Sequence, residues 1–356
     1  MTTRALGLIA LLAVAAAACS APATDSKNLP PVNPKAASLQ SGFTNMDRLI
    51  ETAQKEGELV VVGLPRDWVN YGAIIDEFAD KYGVKVTALK PEATSAQQLA
   101  SAGAQTPDVY DLSLDVAVAN AAAFAPYRVL GWQDIADDLK EPSGSWYAGY
   151  GGYMSIGYDP ARMAEPASFA ALLKPGNTVA LPGDPLRTAS GFAGVMATSL
   201  AGGQPDAARG VQFFTELKKA GVLSTPDRAA ALLDWDYLNL AKAATAAEHD
   251  RPELKVTIPR GTVLASHFVQ AINAKARHPA AARLWQEFLF SDEGQNLFLR
   301  GYARPVRMEA MEMRGGLDQE AAAKLPKVYG TPVTLTIPQQ DAAKTYLQQH
   351  WTQQIG

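Results

Sequence analysis

Two patterns alternate along the chain from Thr44 onward: apolar residues at helical spacing, and short continuous apolar runs. Thr44 to Glu56 opens on the capping-type residues Thr44 and Asp47, carries Leu49, Ile50 and Ala53 on one face, and stops at Gly57. Leu59 to Gly63 follows as an apolar strand. Asn70 can cap the helical YGAIIDEFADKYG, which closes at Gly83 before the strand VKVTAL. A helix from Ser95 to about Ala104 leads to the strand VYDLSL, and AVANAAAF reads as a further helix. Apolar strands separated by helices predict an α/β protein with a mainly parallel sheet covered on both faces.

The rhythm changes at Trp146 to Pro160, WYAGYGGYMSIGYDP, which is dense in Gly and Tyr. It then resumes. NTVALPGDPLRTASGFAGVMATSL predicts strand, loop and helix; VQFFTELKKAG is an amphipathic helix stopped by Gly221; LLDWDYLNLAKA, KVTIPRG and VLASHFVQAINA continue the alternation. PAAARLWQEFLFSDEGQNLFLRG is strongly helical, and a helix-and-loop tail runs to Gly356. No repeat of fixed period is present. Two α/β lobes fit this length better than one oversized sheet, with Trp146 to Pro160 and about Val256 to Phe268 as the crossings.

The start of the chain follows another pattern. Residues 1–18, MTTRALGLIALLAVAAAA, have the layout of a secretory signal peptide: Arg4, an apolar run from Ala5, then small residues. The run is too short for a comfortable membrane span. Ala16-Ala17-Ala18-Cys19 resembles the lipobox of bacterial lipoproteins, with Ala at the position usually held by Leu; an ordinary Ala-x-Ala cleavage is the alternative. On the lipobox reading Cys19 carries a lipid that holds the chain to the membrane. Residues 19–41, rich in Pro, Ser and Ala and without apolar periodicity, are expected to form a flexible tether.

Composition narrows the classes. Across 356 residues, Lys+Arg 32 against Asp+Glu 36 gives a net charge of −4, without the basic footprint of a nucleic-acid binder. A single cysteine excludes a disulfide framework and any multi-thiolate metal site. No G-x-S-x-G, H-E-x-x-H or S-x-x-K motif appears in matching context and there are only four His, which disfavours a secreted lipoprotein hydrolase. The expectation is a protein that is not an enzyme and uses no cofactor.

The order of segments resembles the type 2 periplasmic solute-binding proteins of ABC transporters, in the branch of ferric-iron, polyamine and thiamine binders. The resemblance rests on GELVVVG, DWVNYGAIIDEFADKYGVKV, PDVYDL, YGGYMSIGYDP, VALPGDP, LLDWDYL and HPAAARLWQEFLFSDEGQNLFLRGYARPV. The last is the most specific, with Leu284, Trp285, Phe288, Leu289 and Ser291 in the family's A-A-x-L-F/W-x-x-F-L-x-S-x-E-G-Q run. It implies a two-lobed clamp joined by two hinge crossings, with residues 42–150 plus 263–356 as lobe one and 151–262 as lobe two. It also implies a cleft that captures a small solute and a membrane permease as partner, for a monomer working outside the cytoplasm. An adhesion protein of the same fold is the alternative of another class.

Candidate ligand residues fall where such a cleft would lie. Asp67, Trp68, Asn70 and Tyr71 follow the first strand and offer a carboxylate and π faces, or a helix cap with a packing Trp. Asp115 sits at an equivalent strand end, as ligand group or as N-cap. Asp184, Arg187, Thr188 and Ser190 surround a helix N-terminus that suits a carboxylate, phosphate or phosphonate, or that is merely capped by its hydroxyls. Asp234, Trp235, Asp236 and Tyr237 suit instead an organic cation of polyamine or thiamine type, an ammonium lying over the indole beside a carboxylate. Alternation points Trp235 and Tyr237 one way and Asp234 and Asp236 the other; the ending strand favours Trp235 with Asp236. Tyr153 in the first crossing could cover the ligand, as one of four tyrosines there that otherwise pack the junction. In the second crossing Ser266, His267 and Phe268 match positions at which relatives contact ligand, though a lone His is more often structural. No Tyr-Tyr pair, the usual ferric donor set of this branch, is present.

Overall fold

The structure, a computed structural model, describes residues 29–101, 106–249 and 252–356. The leader and Cys19 lie outside the described residues. Residues 32–356 form one compact unit. The chain runs α1 (Leu39–Gly42), α2 (Met46–Glu56), β1 (Glu58–Val62), α3 (Tyr71–Tyr82), β2 (Lys85–Leu89), α4 (Ser95–Leu99), β3 (Val109–Ser113), α5 (Leu114–Ala119) and β4 (Phe124–Ala125). A strand of 13 residues, β5 (Trp146–Tyr158), leads to β6 (Val179–Ala180), α6 (Ala189–Ser199), α7 (Ala207–Lys219), β7 (Ala231–Trp235), α8 (Asp236–Glu248) and β8 (Lys255–Thr257). A second 13-residue strand, β9 (Gly261–Asn273), returns to α9 (Pro279–Leu289), α10 (Asp292–Arg300), β10 (Arg304–Pro305), α11 (Met308–Arg314), α12 (Gln319–Ala323), β11 (Gly330–Thr334) and α13 (Ile337–Gln354).

The α/β class is as expected, but the sheet is mixed. Its strand order is β2-β1-β3-β9-β5-β7-β6. The pairs β1–β2, β1–β3, β6–β7 and β9–β11 are parallel, whereas β9 runs antiparallel to β3 and β5, and β5 antiparallel to β7. The cause is the pair of long strands. The segments expected as lobe crossings, Trp146 to Pro160 and about Val256 to Phe268, fall largely in β5 and β9, and these two strands pair with each other from Trp146–Ala271 to Tyr153–Ala265. The second half of β5, Met154 to Tyr158, then pairs with β7.

The helices form for the reasons visible in the sequence, with shifts at their ends. Asn45 rather than Thr44 or Asp47 caps α2, its side chain accepting from Arg48 N. α4 stops at Leu99, short of the predicted end, and α5 at Ala119. In α9, Leu284, Trp285, Phe288 and Leu289 are buried, and the Trp285 and Phe288 rings pack on Phe78 of α3 at 5.0 and 5.7 Å. That contact seats the most family-specific segment in the core.

One boundary differs from the expected one. The tether does not extend to residue 41: Ala36 and Leu39 are buried, Arg128 N donates to Ala37 O, and the buried Arg283 donates through Nε to Ala36 O at 2.7 Å. Apolar residues at Val32, Ala36 and Leu39 are too few to show a period, yet sufficient to dock once partners exist. The C-terminal helix α13 packs on α7, with Trp351 against Phe214 at 5.3 Å and Lys218 Nζ donating to the Ile355 and Gly356 carbonyls.

Candidate functional site

A cavity of about 560 Å³ opens at the carboxyl ends of β1, β3 and β7, where the loops after parallel strands converge. Its walls come from the loop after β1, the starts of α4, α5 and α6, the middle of β9, Trp235 and the inner face of α13.

Trp68 is aimed into it by a constrained loop. Val69 (φ 41°) and Asn70 (φ 69°) are both left-handed, a conformation that opposes a β-branched side chain by roughly 1–3 kcal/mol. The surroundings hold it there. Gly301 lies so close that a Cβ would fall 2.5 Å from the Val69 carbonyl carbon, and Asn70 Nδ2 donates to Leu297 O at 3.0 Å. Asn70 is therefore a positioning residue outside the cavity, and its side chain does not cap α3.

The Trp68 indole then starts a chain of hydrogen bonds. Its Nε1–H donates to the Tyr150 hydroxyl (2.7 Å), which donates to Asp111 Oδ2 (2.8 Å). Tyr71 donates to the same oxygen (3.0 Å), and Gln270 Nε2 donates to Asp111 Oδ1 and the Tyr71 hydroxyl, both at 3.1 Å. Asp111 lines the cavity floor. Burial pushes its carboxyl up to about 7, while its three donors pull the other way. Because the native pKa lies above the unfolded one, this group favours the fold at acid pH, and that contribution is lost as pH rises through about 7. Asp111→Asn is expected to flatten the fall in melting temperature between pH 5 and pH 8 relative to the parent protein, measured by paired thermal melts. Parallel curves would show that Asp111 titrates normally.

Opposite Asp111 stands the N-terminus of α6. Thr188 caps it, Oγ1 accepting from Gly191 N at 3.2 Å, and the first-turn residues Ala189 and Ser190 line the cavity. Arg187 is exposed at its rim. Trp235 is 2% exposed, and among the described residues its Nε1 has no hydrogen-bond partner. A buried indole N–H without an acceptor is unfavourable unless something supplies one. Asp115 also lines the cavity, and its carboxylate is paired with Lys344 Nζ at 2.5 Å; that partner holds its pKa low against the effect of burial. Ser113, not Asp115, is the residue before α5.

Of the predicted residues, Trp68, Asp115, Arg187, Ser190 and Trp235 share the cavity. The rest are elsewhere. Asp67 is exposed, Tyr71 is buried behind Asp111, and Asp184 turns back to accept from Leu186 N at 2.9 Å. Asp236, expected beside a cationic ligand, is fully buried against Arg304 and accepts from Tyr153 N (2.9 Å) and Tyr237 N (3.1 Å). The close approach needs Gly152, where a Cβ would lie 2.6 Å from the Tyr237 ring and 2.7 Å from Asp236 Oδ1. Tyr153 stacks on the Arg304 guanidinium at 4.6 Å, and Tyr237 stacks behind Trp235 at 6.4 Å. Asp234 is likewise occupied by Lys242 at 2.7 Å. His267 points to the opposite face of β9 from Ser266 and Phe268, packing on Gly151, with its pKa lowered by burial. The cation cradle of Trp235 with Asp236 thus does not exist, because the strand ends at Trp235 and Asp236 opens α8.

Residues not foreseen are Asp111, Thr94, Ser95, Ser113, Phe192 and Lys344. Asp111 was legible only as a charged residue inside an apolar strand, and Lys344 lies far along the tail.

The chain belongs to the family of bacterial extracellular solute-binding proteins, whose model matches residues 114–328, more than half its length. Solved structures of like fold include an ABC transporter protein from Clostridium perfringens (18% identity, TM-score 0.58, covering 84% of this chain and 100% of that one). AgtB from Agrobacterium tumefaciens in complex with agropinic acid is similar at 17% identity, TM-score 0.61, with 84% and 98% covered. Iron-bound HitA from Pseudomonas aeruginosa is similar at 19%, TM-score 0.59, with 82% and 97% covered. A search of curated protein sequences finds no match. Among the described residues no helix is long and apolar enough to cross a membrane.

Proposed function

We propose that this protein captures a small solute bearing a carboxylate or phosphoryl group and delivers it to an ABC permease, tethered to the membrane through Cys19. The observation that carries the solute class is a cavity lined by the first turn of α6 and by Arg187, with Trp235, whose buried indole N–H has no partner among the described residues, also in its wall. Donors from Trp235, Ala189, Ser190 and Arg187 suit an anionic head. The faces of Trp68 and Phe268, 5.6 Å apart edge to face, suit a flat or apolar body. Asp111 suits an amino group on the same solute, which makes an amino acid-like molecule a good fit. Agropinic acid, seen in AgtB, shows that this fold accommodates an acid. Iron and a simple organic cation are less well served: among the described residues no tyrosine lines the cavity, and Asp234 and Asp236 already have cations. We place α13 with lobe two, and otherwise keep the lobes as 42–150 with the following residues from 263, and 151–262.

A melting screen over amino acids, dicarboxylates, phosphonates, polyamines, thiamine and ferric chelates tests this reading. Anionic or zwitterionic solutes are expected to raise the melting temperature, by about 2.7 kcal/mol of added stability at roughly hundredfold excess over Kd. A shift produced only by polyamines or thiamine would overturn the anion assignment.

A further inference from the structure

α13 and α5 sit on opposite walls of the cleft. α13 rides on α7, fastened by Trp351 against Phe214, by buried Ala343 and Leu347, and by Lys218 on its terminal carbonyls. α5 follows β3 directly and packs on β3 and β9. Between these walls stands one ion pair, Lys344 with Asp115, both lining the cavity. The Lys344 ammonium also lies 5.7 Å from the Phe192 ring of α6, on its own side of the cleft. The Asp115 side chain is only 16% exposed, so the bridge is less screened than a surface pair.

We propose that Lys344 and Asp115 form a latch across the cleft, and that the C-terminal helix serves as a strap holding the lobes together before any solute binds. A clamp joined only at its hinge would spend its empty state open, and its solute would have to supply all the free energy of closing. A polar bridge at the mouth biases the empty clamp toward closure, and being partly exposed it can still break to admit a solute.

The test needs no ligand, so it stands apart from the assignment of solute class. Spin labels at Glu51→Cys on α2 and Lys219→Cys on α7, both exposed, in a Cys19→Ser background, report the distance between lobes. Asp115→Asn and Lys344→Gln are each expected to move the ligand-free distance distribution to longer values, and Lys344→Glu further still, with the circular dichroism spectrum retained. The double variant Asp115→Asn with Lys344→Gln should open no further than either single one, since both remove the same bond. An unchanged distribution in the single variants, or additive opening in the double, would overturn the latch. If Lys344→Gln disturbs folding, Asp115→Asn with high salt on the parent protein gives the same reading.

Discussion

Arg304→Met is expected to destabilise the protein by roughly 3 to 5 kcal/mol, the range for removing one partner of a buried ion pair. Asp236 is fully buried, and its only cation among the described residues is Arg304, whose guanidinium also stacks on Tyr153 and donates through Nη2 to Pro326 O at 2.9 Å. Burial already pushes the Asp236 carboxyl above its ordinary range, even with Arg304 beside it. Without Arg304 the carboxylate keeps its backbone donors at Tyr153 and Tyr237 but loses the cation that does most to offset its burial. Asp236→Asn in the same chain should restore part of the loss, because an amide accepts the same N–H groups uncharged. Chemical denaturation of the three proteins measures this. A stable Arg304→Met variant that failed to bind solute would instead return Asp236 to the cleft as a ligand group.

Trp235→Phe is expected to do the reverse, leaving stability unchanged or slightly raised while weakening solute binding by about tenfold to 150-fold. The affinity figure follows from a hydrogen bond to a charged acceptor, about 1.5 to 3 kcal/mol. The stability figure follows from deleting a buried donor that has no partner. Phenylalanine keeps a ring to stack on Tyr237, now at 6.4 Å and nearly parallel, so packing losses are small. Titration calorimetry with a solute identified by melting shift, beside denaturation of the free protein, separates the two effects. Lower stability with undiminished affinity would make Trp235 a packing residue.

The α/β class was legible because apolar runs and helix periods are local signals. So was the neighbourhood of the cleft, since strand ends collect loops whatever their residues. The choice among neighbouring side chains was not. The Trp235 and Tyr237 rings do stack on each other, but the strand ends at Trp235 and Asp236 opens α8, so alternation does not reach the second carboxylate. What alternation could not reveal is that Lys242 and Arg304, the second some seventy positions away in the chain (304 against 236), already occupy those carboxylates. Asp111 escaped notice for the same reason, as its meaning depends on Tyr71, Tyr150 and Gln270 arriving from three other elements. Charged residues acquire their roles from long-range partners, and one sequence does not display those.

The two long strands that join the lobes are hydrogen-bonded to each other from Trp146 to Tyr153. Two separate connectors would let the walls slide and swivel in many directions. A paired ribbon resists sliding, since shear would break its ladder, and leaves bending and twisting along its own length. The proposed clamp therefore has close to a single degree of freedom: its aperture varies, while the lateral alignment of Trp68 with Trp235 returns the same on every stroke.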